Sequence, residues 1–479
     1  MKKIFFNEWL FLAILIIFAF LVRLYQIDAP LADWHSWRQT DTAAVSRNFI
    51  KNGYDVLHPR FDDLSSLPSM LENPQGYRFV EFPFYNLLHA FLAQSFPVRS
   101  LEWWGRMISI LFSLGSMLFL YFLVKKYTGK LTAFLTAFFF AFLPFNIYYS
   151  RVILPEPMMV FSTLAMIFFF SQWLERKRFT GLYYFLFFVF ASVSLLLKPF
   201  MIFLFPVLFY LAWHKWGFAL LKKWPLYLAG LAIIPFLLWR WWMSHFPEGI
   251  PYYPWLFNYQ GIRFKGAFFR WLFGERMGKL ILGYWGLVPF VLGISARIKK
   301  EGWLLFWWLV GILLYFSVIA GGNVIHDYYQ IIAIPIICIF LAKGSHFLLF
   351  VPKQYFNKFL CPLLFVVCSL FMFAFSWYEV RGFFNVNHPE IVAAGRKADQ
   401  ILPQGAKVIA PYDEDTAFLY QINRSGWPKV IISTDYLISL GATHFVSVRF
   451  DEDTNEAMEE YKILEQTEDY VIIDLTQRK

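Results

Sequence analysis

Carboxylates, imidazoles and cations cluster in the polar segment that follows the first apolar run of the chain. This segment contains Arg38, Asp41, His58 and Glu81. In a partly dry cleft, a carboxylate can accept the proton of a hydroxyl group while a nearby cation stabilises an anionic leaving group. Asp41 is therefore the candidate base and Arg38 the candidate anion-binding residue. Because residues three apart share one face of a helix, a salt bridge between Arg38 and Asp41 is the structural alternative.

A second acidic position, Glu156, lies between Pro155 and Pro157, where two apolar runs meet. A carboxylate held by such a stiff turn could contribute to a site at a membrane surface, whereas neutralisation by Arg151 is the structural alternative. Lys198 stands alone between two further apolar runs. A lone cation at this place suits a lipid-linked phosphate, and a lysine whose charged end only extends to the membrane surface is the alternative.

A third polar cluster occupies residues 323–330 and includes His326, Asp327 and Tyr328. His326 and Asp327 could form a metal pair or a hydrogen-bonded structure. Neither a spaced HxxxH motif nor an acidic cluster accompanies them, and all three cysteines lie inside apolar runs. The sequence therefore predicts no metal site and no disulfide framework, although a requirement for a divalent cation stays open.

The elements that must position these side chains are membrane helices. Hydrophobic residues make up 58% of the 479 residues and charged residues only 16%, which excludes ordinary soluble, disordered and coiled-coil classes. Apolar runs long enough to span a bilayer recur along the chain. About eleven spans are predicted, the first ending near Arg23 and the others lying near residues 104–124, 131–149, 156–173, 181–197, 199–213, 224–243, 280–296, 302–320, 329–349 and 358–378.

The distribution of basic residues predicts how the bundle is oriented. Lys2 and Lys3 favour a cytoplasmic amino terminus, and alternation of the spans from there places each short basic loop on the cytoplasmic side. The long polar loop 25–103 then lies on the outer face. The cations of the loop 244–278 would also lie outside, where they either bind a phosphate or an anionic lipid or belong to a solvated amphipathic helix. The predicted location is the cell membrane, crossed several times.

The last part of the chain differs in charge from the rest. Residues 385–479 carry nine Lys/Arg against sixteen Asp/Glu, and an odd number of spans exports them. A helix over Pro389–Leu402 and extended runs over residues 407–410, 429–433, 444–448 and 470–475 are predicted. The predicted fold is thus an all-α polytopic membrane bundle, residues 1–384, followed by a small extracytoplasmic α/β domain, residues 385–479, which carries no predicted catalytic set.

The order of these features resembles that of the polytopic GT-C-type glycosyltransferases, especially the branch of the protein O-mannosyltransferases and the lipid A aminoarabinose transferases. Asp41, within residues 37–42, occupies the position of the family's acid after the first span, although the usual Asp-Glu pair is Asp-Thr here. Residues 81–88 resemble the Pro-rich amphipathic stretch. Glu156 stands where an aspartate is commoner in the second acidic motif, and Lys198 matches the lysine after the fifth span.

The resemblance implies transfer of a sugar from a polyprenyl-phosphate carrier in the outer leaflet to an acceptor hydroxyl, with inversion at the anomeric carbon. It implies that Asp41 is the catalytic base, that Glu156 orients the acceptor or supports the cleft, and that Arg38 and Lys198 bind the departing phosphate. The residues expected to contact substrate are His58, Glu81, His326 and Tyr328.

The partners expected from this hypothesis are the lipid-linked sugar donor, membrane lipids and a glycan, lipid or protein acceptor. Nucleic acid is not expected, because the excess of basic charge is typical of the cytoplasmic loops of membrane proteins. Two other classes stay open. A secondary transporter would suit the number of spans, but transporters place ionisable groups at mid-membrane. A noncatalytic membrane scaffold leaves the clusters around Asp41 and Glu156 unexplained.

Overall fold

The computed structural model describes residues 7–296, 299–350 and 357–479. Lys2 and Lys3, on which the predicted cytoplasmic amino terminus depends, lie outside the described residues. The chain divides into two compact units. Among the described residues, the first unit comprises those within 7–27, 107–238 and 253–382, and the second unit comprises residues 28–106, 239–252 and 383–479.

Helices account for most of the described chain. The α-helices are α1 (Glu8–Arg23), α2 (Ser36–Asn52), α3 (Phe84–Ser95), α4 (Leu101–Tyr127), α5 (Lys130–Phe142), α6 (Pro144–Tyr149), α7 (Glu156–Glu175), α8 (Thr180–Leu197), α9 (Phe205–Trp216), α10 (Trp224–Ala229), α11 (Ile234–Met243), α12 (Trp255–Asn258), α13 (Gly266–Phe269), α14 (Leu287–Ser295), α15 (Leu304–Val318), α16 (Ala320–Ile325), α17 (Ile334–Phe350), α18 (Leu360–Val380), α19 (Pro389–Ile401), α20 (Ala417–Ile422), α21 (Thr434–Ser439) and α22 (Glu452–Glu460). Shorter 3₁₀ segments include Pro199–Leu204 and Asp327–Ala333, and a π-helix covers Arg270–Ile281.

Seven helical segments within the described residues are long and apolar enough to cross a membrane. They are Leu101–Tyr127, Glu156–Glu175, Thr180–Leu197, Pro199–Lys222, Trp224–Met243, Asp327–Phe350 and Leu360–Ile401. Two shorter apolar helices, α5 and α15, accompany them. The predicted membrane bundle is confirmed, whereas the predicted count of eleven spans is not.

The predicted span over residues 131–149 shows why the count differs. The helix ends at Phe142, and a separate helix, α6, begins at Pro144. Proline has no backbone N–H and its ring crowds the preceding turn, so a helix breaks there. The buried Arg23 guanidinium donates hydrogen bonds to the carbonyl oxygens of Phe140 at 3.3 Å and Ala141 at 2.9 Å. This arginine therefore satisfies carbonyl groups that the end of α5 leaves without a helical partner.

In the second unit, helix α2 is polar in sequence and yet buried along most of its length. Twelve of its seventeen residues are buried, which is costly unless their polar groups are hydrogen-bonded. Gln39 Nε2 donates to Asp33 Oδ1 at 2.8 Å, and Asn86 Nδ2, on α3, donates to the carbonyl oxygen of Thr42 at 2.7 Å. These side-chain bonds fix the rotation of α2 and make it a rigid support for the groups it carries.

The second unit also contains a five-stranded sheet in the described part of the chain. Its strands are β1 (Val408–Ile409), β2 (Gly426–Trp427), β3 (His444–Ser447), β4 (Tyr461–Gln466) and β5 (Val471–Arg478), in the order β2-β1-β3-β5-β4. β1 pairs in parallel with β2 and β3, whereas β5 pairs antiparallel with β3 and β4.

Both faces of this sheet are buried. Ile472 packs with Val446 in one apolar cluster, and the next residue, Ile473, packs with Phe445 in another. Because successive side chains of a strand point to opposite faces, each face has its own core. Residues of α19 and α20 belong to the first cluster and residues of α21 and α22 to the second. The predicted small α/β fold of the last segment is therefore present.

One predicted strand of this segment is wrong. Residues 429–433 do not form a strand, and the edge strand β2 lies before them at Gly426–Trp427. Val430 and Ile431 still pack against the core, which explains the apolar signal. Ile432, however, adopts a left-handed conformation with φ 67°, which interrupts an extended run and is unusual for a β-branched residue.

The edge of the sheet at β2 is covered by the polar loop of the same unit. The Gly426 N–H donates to the Asp62 carbonyl oxygen at 2.8 Å, and the Leu64 N–H donates to the Gly426 carbonyl oxygen at 2.8 Å. A Cβ atom at Gly426 would lie 1.7 Å from the Val408 carbonyl oxygen, so only glycine fits between the two neighbouring segments. Leu64 also joins the second apolar cluster. The loop and the sheet of the second unit are thus packed as one body.

Candidate active site

Asp41 lies in the second turn of α2 and is 4% exposed. Its Oδ2 accepts a hydrogen bond from Arg78 Nη2 at 2.7 Å, and its Oδ1 accepts one from Thr416 Oγ1 at 2.7 Å. A carboxylate offers about four lone-pair positions, so two such bonds leave acceptor capacity free. The arrangement can therefore hold the carboxylate in one orientation while it accepts a proton from a hydroxyl group.

Arg38 and Glu81, two predicted site residues, form a buried ion pair. Arg38 Nη2 lies 2.7 Å from Glu81 Oε1, and the two side chains are 7% and 9% exposed. Arg38 Nη1 also donates to Thr42 Oγ1 at 3.2 Å, one turn further along α2. Glu81 Oε2 has no hydrogen-bond partner among the described residues. The pair therefore presents a guanidinium that is bound to the Glu81 carboxylate, and a carboxylate oxygen, Glu81 Oε2, that can still accept a hydrogen bond.

Two further acids, the buried Asp63 and the partly buried Asp415, are electrostatically coupled to Asp41. The pKa of Asp63 is raised to about 7, mainly by burial. The hydrogen bonds from Ser65 lower this pKa, and the negative charge of Asp41 raises it. Burial also raises the pKa of Asp415 to about 6, and the charge of Asp41 again adds to this increase. A substantial fraction of Asp63 therefore carries a proton at neutral pH, which limits the negative charge around Asp41.

His58 lies among aromatic rings of the second unit. Its ring centroid is 5.0 Å from that of Phe246, 5.5 Å from that of Trp242 and 5.7 Å from that of Tyr77. Its Nδ1 atom lies 3.0 Å from Asp55 Oδ2. This acid fixes the orientation of a partly exposed imidazole, and the predicted contact of His58 with substrate stays a prediction.

In the first unit, Glu156 and Lys198 form a second buried ion pair. The Lys198 ammonium group donates to Glu156 Oε1, and the side chains are 10% and 4% exposed for the lysine and the acid. Lys198 Nζ also lies 5.5 to 5.7 Å from the ring centroids of Phe200, Tyr328 and Tyr329. Ring faces attract a cation at such distances. The ammonium group is thus bound to the Glu156 carboxylate and lies close to three aromatic rings.

The aromatic group continues to His326. The rings of His326 and Tyr328 are stacked with centroids 5.3 Å apart, and Trp255 meets His326 edge-on at 5.4 Å. Tyr328 is 3% exposed, whereas His326 is partly exposed. The structure therefore brings together three predicted site residues, Lys198, Tyr328 and His326, within the first unit.

Asp327, the neighbour of His326, takes part in a hydrogen-bonded network. The Tyr149 hydroxyl donates to Asp327 Oδ1, and Arg276 Nη1 lies 3.8 Å from Asp327 Oδ2. These contacts agree with the hydrogen-bonded interpretation of the cluster at residues 323–330. Within the residues that the structure describes, no group of three or more His, Cys, Asp or Glu side chains is placed to hold a metal ion.

Comparison with known proteins places this arrangement in a known fold. Residues 83–242, about a third of the chain, match the family described as dolichyl-phosphate-mannose-protein mannosyltransferase. No curated protein matches the chain significantly in sequence. Among solved structures, ArnT from Cupriavidus metallidurans bound to undecaprenyl phosphate is similar, with 13% identity, 98% of each chain covered and a TM-score of 0.67.

A second similar structure is the archaeal oligosaccharyltransferase AglB from Archaeoglobus fulgidus, in complex with an inhibitory peptide and a dolichol phosphate. It is 11% identical, the match covers 96% of this chain and 73% of that chain, and the TM-score is 0.56. The chain has the GT-C glycosyltransferase fold. The resemblance predicted from the sequence is confirmed, and the family match together with the fold indicates glycosyltransferase activity.

Sequence reasoning missed two residues that hold the Asp41 carboxylate. Arg78 lies in the same polar loop as Asp41, so the loop's charge pattern carried a weak signal for it. Thr416 is 375 residues away along the chain. No spacing rule connects a threonine in the last segment to α2, so only the folded chain could reveal that contact.

Proposed function

We propose that this GT-C glycosyltransferase transfers a sugar from a polyprenyl phosphate to a hydroxyl group of an acceptor, with Asp41 as the catalytic base. The observation that carries the proposal is the buried Asp41 carboxylate, held on both oxygens at 2.7 Å on the rigid, polar helix α2. The comparisons support the proposal, because one protein of similar fold was solved bound to undecaprenyl phosphate and another in complex with a dolichol phosphate.

The proposed reaction is a single displacement. The acceptor oxygen forms a bond to the anomeric carbon, its proton moves to an oxygen of Asp41, and the bond from the anomeric carbon to the phosphate oxygen breaks. The lipid phosphate leaves with the electron pair, and the anomeric configuration inverts. General-base assistance of this kind accelerates a reaction by about 10²- to 10⁴-fold.

Lys198 is proposed to stabilise the departing phosphate. Negative charge develops on the phosphate as the glycosidic bond breaks, and a fixed cation in a site sheltered from water stabilises that charge strongly. The pairing with Glu156 supports this role because it holds the ammonium group in place. Glu156 is also proposed to orient the acceptor or to support the cleft. Arg38 is proposed as the second phosphate-binding cation, with Glu81 controlling its position.

The remaining roles concern substrate contact and orientation. His58, Glu81, His326 and Tyr328 are proposed to contact the substrate. The rings of the three aromatic residues suit the apolar face of a sugar, and Glu81 Oε2 can accept a hydrogen bond from a sugar hydroxyl. The polar loop and the segment 385–479 are proposed to lie on the outer side of the cell membrane, with the amino terminus in the cytoplasm. A polyprenyl tail leaves lipid at a cost of about 0.8 kcal/mol per CH₂ group, so the reaction must occur where the headgroup reaches the surface.

The test uses the purified full-length protein in lipid nanodiscs with two donors, undecaprenyl-phosphate mannose and undecaprenyl-phosphate aminoarabinose, each supplied together with a hydroxyl-bearing glycan, lipid or peptide acceptor. Release of undecaprenyl phosphate is measured by mass spectrometry. We expect Asp41→Asn to reduce turnover by about 10²- to 10⁴-fold, while Asp28→Asn, at an exposed acid of the same unit, leaves it unchanged. Turnover of Asp41→Asn at the wild-type rate would rule out Asp41 as the base.

Binding of undecaprenyl phosphate itself provides a measurement that does not depend on the sugar. Native mass spectrometry of the nanodisc-embedded protein should show weaker binding in Lys198→Met. The matched control is Lys215→Met, at an exposed lysine of the same unit. Equal binding in both variants would exclude phosphate contact by Lys198.

A further inference from the structure

The last segment of the chain supplies one of the two hydrogen bonds that hold the Asp41 carboxylate. Thr416 Oγ1 donates to Asp41 Oδ1 at 2.7 Å, and both residues belong to the second unit. We propose that Thr416 is a positioning residue for the catalytic base, so that the segment 383–479 completes the machinery of the transferase. The inference rests on the proposed role of Asp41 as base.

The hydroxyl of Thr416 is aimed by the loop that precedes α20. The Asp415 N–H donates to the Tyr412 carbonyl oxygen at 2.7 Å, and the Ala417 N–H donates to Asp415 Oδ1 at 2.7 Å. These bonds fix the backbone on both sides of Thr416. The other acceptor near its hydroxyl, the Trp37 carbonyl oxygen, lies at 3.4 Å, so the single hydroxyl proton is directed to the carboxylate.

Helix α20 is anchored to α2, and through Glu102 to the start of α4, by contacts that do not involve Thr416. Arg47 Nη1 donates to the Tyr420 carbonyl oxygen at 2.8 Å, and the Arg47 guanidinium lies 4.1 Å from the centroid of the Tyr420 ring. The Tyr420 hydroxyl donates to Glu102 Oε1 at 2.6 Å, and Lys51 Nζ donates to the Asn423 carbonyl oxygen at 3.0 Å. The position of Thr416 is therefore set independently of its own bond to Asp41, as positioning requires.

The burial around Asp41 makes this bond effective. Asp41 is 4% exposed, and the neighbouring acids Asp63 and Asp415 both have a pKa raised by burial. A hydrogen bond is electrostatically stronger in such surroundings than in water. With Arg78 on one oxygen and Thr416 on the other, the carboxylate cannot rotate about its terminal bond without breaking a hydrogen bond. Its remaining lone pairs therefore keep one direction toward the acceptor.

The variants Thr416→Val and Thr416→Ser test the inference in the full-length protein in nanodiscs. Valine keeps the branched shape and removes the donor, whereas serine keeps the donor. We expect Thr416→Val to lower kcat by about 10- to 100-fold, the range for a hydrogen bond to a charged group, with the donor KM within about twofold because donor binding does not use this hydroxyl. Thr416→Ser should recover most of the rate. Ser439→Ala, which removes a hydroxyl bonded only to the carbonyl oxygen of Tyr436 in its own helix among the described contacts, is the control and should behave as wild type.

A double variant separates positioning from a merely structural effect. If Thr416 acts through Asp41, adding Thr416→Val to Asp41→Asn should not lower the residual rate further. An equal additional loss in that background would overturn the inference, as would a Thr416→Ser variant that is as slow as Thr416→Val. Full activity of Thr416→Val together with an inactive Asp41→Asn would reject the inference alone. Full activity of Asp41→Asn would reject the proposed function itself.

Discussion

The buried pair formed by Lys198 and Glu156 allows its contributions to folding and to catalysis to be separated. Both side chains are at most 10% exposed, and Glu156 Oε2 has no hydrogen-bond partner among the described residues. Removing the lysine alone leaves a buried carboxylate that has lost its cation, which typically costs about 3–5 kcal/mol. Removing both charges in Lys198→Met/Glu156→Gln avoids this penalty, because no unpaired charge remains.

We therefore expect the wild type and the double variant to have similar free energies of unfolding. The free energy of unfolding of Lys198→Met should be lower by about 3–5 kcal/mol. Unfolding in mixed micelles with increasing SDS measures this order. The activity should follow a different order. Both variants that lack Lys198 should turn over about 10²- to 10³-fold more slowly than wild type, the cost of losing one group that stabilises developing charge.

Two results would refute this reasoning. A double variant that is less stable than Lys198→Met would show that pairing does not dominate the stability of the site. A double variant that recovers activity along with stability would show that Lys198 serves folding only and does not stabilise the phosphate. Lys215→Met, at an exposed position of the same unit, should change neither quantity.

Three further predictions concern the second unit. The pKa of Asp63 is raised from 3.8 to about 7 in the folded state. Between these two pH values the folded protein keeps the Asp63 carboxyl protonated while the unfolded chain has lost the proton, so the stability of the wild type falls as the pH rises from about 4 to about 7. Asp63→Asn should therefore gain stability relative to wild type by up to about 4 kcal/mol between pH 4 and pH 8, and a difference that does not vary with pH would contradict this. Arg424→Met should destabilise the last segment by about 3 kcal/mol, because the buried guanidinium donates to the carbonyl oxygens of Leu402 and Pro403 at 2.6 and 2.7 Å; limited proteolysis of residues 385–479 would measure the loss, and unchanged resistance would count against it. Gly426→Ala should expose the edge of the sheet to hydrogen exchange, since a Cβ atom would collide with the backbone of β1, and retained protection at β1 would refute the steric argument.

The sequence determined the class of the protein and its separate polar clusters. A long apolar run can cross a bilayer as a helix, because a helix bonds all of its backbone N–H and C=O groups within the segment. The membrane bundle therefore followed from the length and composition of these runs. The alternation and charge of the last segment likewise predicted a small α/β fold. The run at residues 429–433 misled because its apolar residues do pack against the core, while the left-handed Ile432 prevents a strand. The pattern of apolar residues therefore indicated correctly that these side chains are buried, but it did not indicate the backbone conformation.

The tertiary structure alone decided which charged groups meet. Sequence reasoning placed Arg38 and Asp41 on one helix, but the partner that holds Asp41 from the same loop is Arg78, and its second partner is Thr416, 375 residues away. Likewise, Glu156 pairs with Lys198. The prolines on either side of Glu156 gave no indication of this partner. Local spacing fixes neighbours along one helix within about a turn, whereas contacts between distant segments depend on how buried polar groups find partners during packing. The sequence pattern thus identifies this chain as a helical membrane protein, whereas the groups that orient the Asp41 carboxylate are known only from the folded structure.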